Sequence, residues 1–204
     1  MKRHAKKLTV LALAAALTLT ALPGAAFAGV SAQEFIQDRQ AKVTDLLKKP
    51  ASSARDEQIA AVLDGMLDYD RLAREALSQH WANLEESQRK EFTELLKKLV
   101  QRNYERNIKN IQGYSVEYLG ETAADGSAVI VRTRAASKKN RREPPVEIDY
   151  RLEQVGDEWR VCDIVTEGSS LVRNYRSQFN RIIKKDGYDA LVKRLQEKIA
   201  NDEA

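Results

Sequence analysis

Asp149, Asp163 and Glu167, with Tyr150 and Tyr175 nearby in sequence, are the residues of this chain best suited by type to acid–base chemistry. A carboxylate and a tyrosine inside a cone-shaped sheet could pass a proton next to a carbonyl, which is isomerase chemistry. Their spacing disfavours it. Asp149 adjoins Tyr150 in an alternating stretch, so the two point to opposite sides of a strand. Asp163 and Glu167 precede the Gly168 turn, where carboxylates commonly serve as turn caps and ion-pair partners.

Other chemistries lack their residues. A nucleophilic triad needs a base, and past residue 28 the sole histidine is His80, near a helix end. No HxH, HExxH, CxxC or carboxylate cluster occurs, so no metal is expected. Neither a P-loop pattern nor GxGxxG occurs, so no nucleotide cofactor is expected, and energy for a directional process would come from a partner protein. Cys162, the one cysteine, has no disulfide partner within the chain and reads as a small buried residue on a strand.

The first residues, MKRHAKK, are basic; Leu8 to Leu22 are apolar or Thr; Pro23, Gly24 and the small-residue site Ala26-Phe27-Ala28 follow. This is the pattern of a secretory signal peptide cleaved after Ala28. No other segment approaches about 18 apolar residues, so residues 29–204 are expected to form one exported domain without a transmembrane segment. A bacterial periplasm is the expected compartment. The formal charge of +4 belongs to Lys2, Arg3, Lys6 and Lys7, which leaves the exported part neutral and a nucleic-acid partner unexpected. An exported chain without disulfides relies on its core.

The elements that would position these residues follow from periodicity. Phe35, Ile36, Val43, Leu46 and Leu47 mark a first helix, and Ile59, Val62, Leu63, Met66 and Leu67 a second. Leu72, Ala73, Ala76, Leu77 and Trp81 mark a short third. Asn83 and Glu86 have the spacing of a capping box opening a fourth, with a stripe from Phe92 through Leu99 and Tyr104 to Ile108. After Gly113 the period becomes two, giving strands at about 114–119, 127–137, 145–155 and 158–166. In the third, Val146, Ile148, Tyr150 and Leu152 share one face; in the second, Val129, Val131 and Thr133 do. The fourth is ambiguous, since Trp159, Val161 and Val165 compete with Cys162 and Ile164. Helices return with Leu171, Val172, Tyr175 and Phe179, N-capped by Ser169 or Ser170. The fold class is α+β, with helices packed on one face of a curved four-stranded antiparallel sheet. The basic run Lys138, Lys139, Arg141, Arg142 falls in a strand connection; such runs are usually solvated, and contact with anionic headgroups or an acidic partner is the alternative.

Residues 161–179, VCDIVTEGSSLVRNYRSQF, join a strand through one glycine turn to an amphipathic helix. Continued as NRIIKKDGYDALVKRL, this segment resembles the MlaC family of periplasmic phospholipid-binding proteins, also described as toluene-tolerance or lipid-asymmetry factors. LDYDRLAREALSQHW and SQRKEFTELLKKLVQRNY resemble the family's helical half, so the likeness covers roughly residues 31–198. Cys162 stands where the family suggests an aromatic, and Ser169 where it suggests a branched apolar residue.

The resemblance implies a non-enzymatic lipid shuttle that maintains outer-membrane asymmetry. Its partners would be an outer-membrane complex of lipoprotein and porin, and an inner-membrane ABC transporter complex with its substrate-binding subunit. It also implies an apolar pocket between sheet and helices. Strand parity and helix faces then nominate Val129, Val131, Val146, Ile148, Tyr150 and Leu152 from the sheet, and Leu99, Tyr104, Leu171 and Tyr175 from the helices. The rival functions are an isomerase-like enzyme using Asp163 and Glu167, and a lipid-free adaptor between envelope complexes.

Overall fold

The computed structural model describes residues 30–111 and 113–201; the expected leader and the Ile108 side chain lie outside that description. The chain runs α1 (Ala32–Leu47), α2 (Ser53–Asp64), α3 (Tyr69–Leu77), α4 (Glu86–Ile111), β1 (Tyr114–Ala123), β2 (Val129–Ser137), β3 (Val146–Val155), β4 (Glu158–Thr166), β5 (Ser169–Ser170), α5 (Leu171–Asp186) and α6 (Tyr188–Asn201). This is the expected α+β order. The antiparallel sheet follows chain order and has five strands among the described residues instead of four, because Ser169 and Ser170 fold back onto Thr166 and Val165.

Local chemistry sets the helix starts. Ser31 Oγ accepts from the Glu34 N–H at 3.1 Å and the Glu34 carboxylate accepts from the Ser31 N–H at 2.8 Å, a capping box that opens α1. Ser170 Oγ accepts from the Arg173 N–H at 3.0 Å and caps α5. The box expected from Asn83 and Glu86 does not form. Residues Ser78–Asn83 wind into a 3-10 turn that also takes Trp81 out of α3, and α4 starts later, with the Gln88 side chain accepting from the Glu85 N–H at 2.9 Å.

Met66 and Leu67 leave α2 for a different reason. The Val161 N–H donates to the Met66 carbonyl at 2.9 Å and the Asp68 N–H to the Val161 carbonyl at 3.0 Å, so this turn pairs with β4 as a one-residue parallel bridge. Backbone groups at a sheet edge need partners, and this turn supplies them.

The core joins α1, α3, α4, α5 and α6 to the middle of the sheet. Phe92 of α4 meets Phe179 of α5 edge to face, with centroids 5.6 Å apart, and Tyr175 stacks on Phe179 at 5.2 Å. Phe92, Leu96 and Leu99 are each 1% exposed or less, and full burial of such a side chain is worth about 1.5–3 kcal/mol.

Candidate functional site

Two bulges decide which side chains face the helices. In β4, Asp163 pairs with Arg151 and Val161 with Leu152, so Cys162 is the extra residue. The shift resolves the strand's two competing patterns, because Trp159, Val161 and Ile164 all come to the helix side. In β1, Tyr118 pairs with Thr133 and Gly120 with Arg132, leaving Leu119 as the extra residue. Gly120 has φ +106°, a conformation that glycine adopts without strain. Beyond this bulge Glu121 shares a side with Val131, and its carboxylate accepts from the Gln33 N–H at 2.8 Å, in the first turn of α1.

The helix-facing side of the sheet is a trough. Its floor is β2, where Val131, Thr133 and Ala135 are small and buried. The walls are larger: Thr133 lies between Tyr118 and Ile148, and Val131 beside Tyr150. Thr133 Oγ1 donates to the Ile148 carbonyl at 2.7 Å, so the hydroxyl is satisfied by backbone and its presence on an apolar floor costs little.

The helices cover this trough unequally. Among the described residues α1 packs chiefly along β1 and β2, and α3 and α5 chiefly along β4, while of β3 only Leu152 belongs to the buried core, with Tyr150 packed against it. Val146, Ile148 and Tyr150 of β3 are accordingly half-buried, and Val146 and Ile148 stand outside the packed core. Burial pushes the Tyr150 phenol up to about 12, yet the side chain keeps accessible surface.

Other tyrosines converge there. Tyr104 of α4 and Tyr118 of β1 are both raised, first by burial and then by the proximity of Tyr150, Tyr118 to about 12. Tyr118 donates a short hydrogen bond to Gln40 of α1, and Asn103 donates to the Tyr175 hydroxyl at 3.2 Å. Between α1 and β1 runs a groove of about 640 Å³ whose lining includes Gln40, Ala41, Thr44, Tyr114, Val116 and Tyr118. A second groove, about 430 Å³ between α4 and α6, is lined by Lys98, Gln101, Arg102 and Glu105 and includes no strand residue.

The carboxylates that suggested acid–base chemistry are engaged elsewhere. Asp163 accepts from the N–H groups of Ile164 and Val172 at 2.9 and 3.1 Å and from Ser170 at 2.6 Å, locking β4 to α5. Glu167, at φ +48°, accepts from the Glu147 N–H at 2.5 Å while its own N–H donates to the Glu147 carbonyl at 3.0 Å. Asp149 pairs with Arg132 on the side opposite Tyr150; its carboxyl is raised mainly by burial, against the lowering effect of Arg132. The site as folded brings none of these carboxylates to Tyr150 or Tyr175. His80 bonds Asn180 of α5 at 2.9 Å. Among the described residues no three His, Cys, Asp or Glu side chains converge as a metal would require.

Of the ten nominated residues, Leu99, Val131 and Leu152 are fully enclosed in the core, at 0–1% exposure. Val129, Val146, Ile148 and Tyr150 are half-buried on the helix-facing side of the sheet, and Tyr104 of α4 and Leu171 and Tyr175 of α5 are half-buried as well. Tyr114, Val116 and Tyr118 also face the trough. Their alternation with Ser115 and Glu117 is period two, and that was the available signal for them.

No described helix is long and apolar enough to cross a membrane. The family described as MlaC protein matches residues 36–197. The fold is similar to that of a phospholipid-binding protein from Ralstonia solanacearum solved in complex with a phospholipid: TM-score 0.74, 26% identity, covering 86% of this chain and 100% of that one. No curated protein sequence gives a significant match.

Proposed function

Since the chain belongs to the MlaC family, we propose that it is a phospholipid carrier of the bacterial periplasm, exported by its leader and moving diacyl phospholipid between membrane complexes without chemistry of its own. The observation that carries this reading is the apolar side of β3, which the core buries only in part. Val146 and Ile148 are half-buried outside the packed core and Tyr150 is half-buried at its margin, in a fold similar to that of a protein solved with phospholipid bound. The half-buried residues Val129, Tyr104, Leu171 and Tyr175 complete the proposed acyl-chain walls.

Physical chemistry explains why such a carrier needs no catalytic group. Two acyl chains hold on the order of 30 methylenes at about 0.8 kcal/mol each, so a lipid alone in water is disfavoured by roughly 20 kcal/mol or more. An apolar trough offsets that cost, and exchange with a bilayer becomes nearly isoenergetic. Direction then comes from the partners: an outer-membrane lipoprotein–porin complex on one side and an inner-membrane ABC transporter complex with its substrate-binding subunit on the other.

The test is solvent extraction of protein purified from the periplasm, followed by mass spectrometry. Stoichiometric diacyl phospholipid is the expected result. A folded, lipid-free protein that takes up no phospholipid from vesicles would overturn the reading and favour an adaptor.

A further inference from the structure

The connection between β2 and β3 sits at one end of the groove between α1 and β1. Lys138, the first residue after β2, lines that groove, as does Lys48 just past the end of α1. The connection is a pinned turn. Lys138 N–H donates to the Gly113 carbonyl at 2.8 Å, Asn140 N–H to Ser137 Oγ at 3.2 Å, and Arg142 N–H to Asn140 Oδ1 at 3.1 Å. Held this way, Lys138, Lys139, Arg141 and Arg142 are all exposed.

Nearby carboxylates are already occupied. Glu143 accepts from the Tyr114 hydroxyl at 2.7 Å, Asp45 pairs with Lys48 at 2.7 Å, and Glu147 lies 4.0 Å from Arg134. Among the described residues no carboxylate pairs with Lys139, Arg141 or Arg142. The exported chain is neutral overall, so this is a local concentration of positive charge, and it adjoins the groove between α1 and β1 through Lys138.

Resting on the carrier reading, we propose that this end of the molecule is a docking surface for an anionic bilayer: Lys139, Arg141 and Arg142 hold the groove mouth against the headgroups, so that lipid can pass directly between membrane and trough. A bilayer fits better than an acidic protein surface because the turn that carries the cations adjoins, through Lys138, a groove with apolar residues in its lining. Tyr114 and Val116 line the groove, and Val146 follows the turn, so acyl chains would meet apolar surface from the interface inward. Headgroup charge needs only proximity of cations, whereas a protein partner needs matched positions.

The experiment is flotation of the periplasmically purified protein with vesicles of phosphatidylethanolamine alone or mixed with phosphatidylglycerol, at low and high salt. Each interfacial cation is worth about fivefold in partitioning, so Lys139→Gln/Arg141→Gln/Arg142→Gln should weaken binding to the anionic vesicles about a hundredfold. High salt should weaken wild-type binding in the same sense. The proposal is overturned if the triple variant floats like the wild type, if wild type binds both vesicles equally, or if it binds neither and the cations serve a protein partner. Phospholipid content is measured on the same preparations. Lipid-loaded protein that ignores anionic vesicles sinks the docking surface alone, whereas protein that neither contains nor takes up phospholipid sinks the carrier reading.

Discussion

Ser170 donates a 2.6 Å hydrogen bond to the Asp163 carboxylate, whose other oxygen accepts the N–H of Val172 at 3.1 Å. One side chain thereby ties the start of α5 to β4. Asp163→Asn should destabilise the protein by about 1–3 kcal/mol, the range for disturbing a charged hydrogen-bond acceptor. Urea unfolding measures this, and phospholipid per folded molecule should stay unchanged. A variant as stable as wild type would mean the joint is held by something else.

Ile148 and Val131 face the same way on adjacent strands, but one borders open space and the other is 0% exposed. Ile148→Trp should fold normally and carry less phospholipid. Val131→Trp should instead cost about 1–3 kcal/mol or more through overpacking. Thermal unfolding and extracted lipid, measured on both variants, separate the effects; equal lipid content in folded Ile148→Trp protein would remove β3 from the wall.

The Tyr150 phenol gives a pH prediction. Its folded-state value is raised by burial to about 12 from an ordinary value near 10, so the native state holds a proton that the unfolded chain releases. That contribution is fully present below about pH 10 and disappears as pH rises through about 12, at close to 1.4 kcal/mol per pH unit between them. Alkaline unfolding of wild type and Tyr150→Phe, followed by tyrosinate absorbance, checks it. Titration of Tyr150 alongside exposed tyrosines would place it in water.

How legible this architecture is from sequence depends on whether the decisive contact is local. The alternation in β3, the Ser170 cap and the Phe92–Leu99 stripe are each settled by a few neighbouring residues, and the fold agrees with them. Met66 and Leu67 continue a helical period, but their backbone is claimed by Val161, far along the chain. Asn83 has the right spacing for a box, yet the 3-10 turn absorbs it. The ambiguity in β4 has one physical cause, the extra residue Cys162. For the nominated strand residues, parity agrees with the side they share in the sheet. It had no means of separating Val131 and Leu152, which are packed, from Ile148, which is not.

Cys162 is 2% exposed, with its thiol bonded to the Arg151 carbonyl at 3.4 Å, and burial pushes the thiol up to about 11. Thiol reagents should therefore label the native protein only through opening events, at a rate that rises with added denaturant. Mass spectrometry of the labelled chain reads this. Rapid stoichiometric labelling without denaturant would show that the β4 bulge is open to solvent.

The two edges of the sheet bear on a hazard common to proteins with open β-sheets. An unpaired strand edge invites a second copy to add on, and then a third. Along β4 the turn at Met66–Asp68 and the short β5 occupy the outer hydrogen-bonding groups. On β1 the Leu119 bulge interrupts the free ladder at Gly120. The same irregularity that turns Glu121 toward α1 also spoils the template for edge-to-edge polymerisation, a safeguard for a chain that has no disulfide to prevent transient opening.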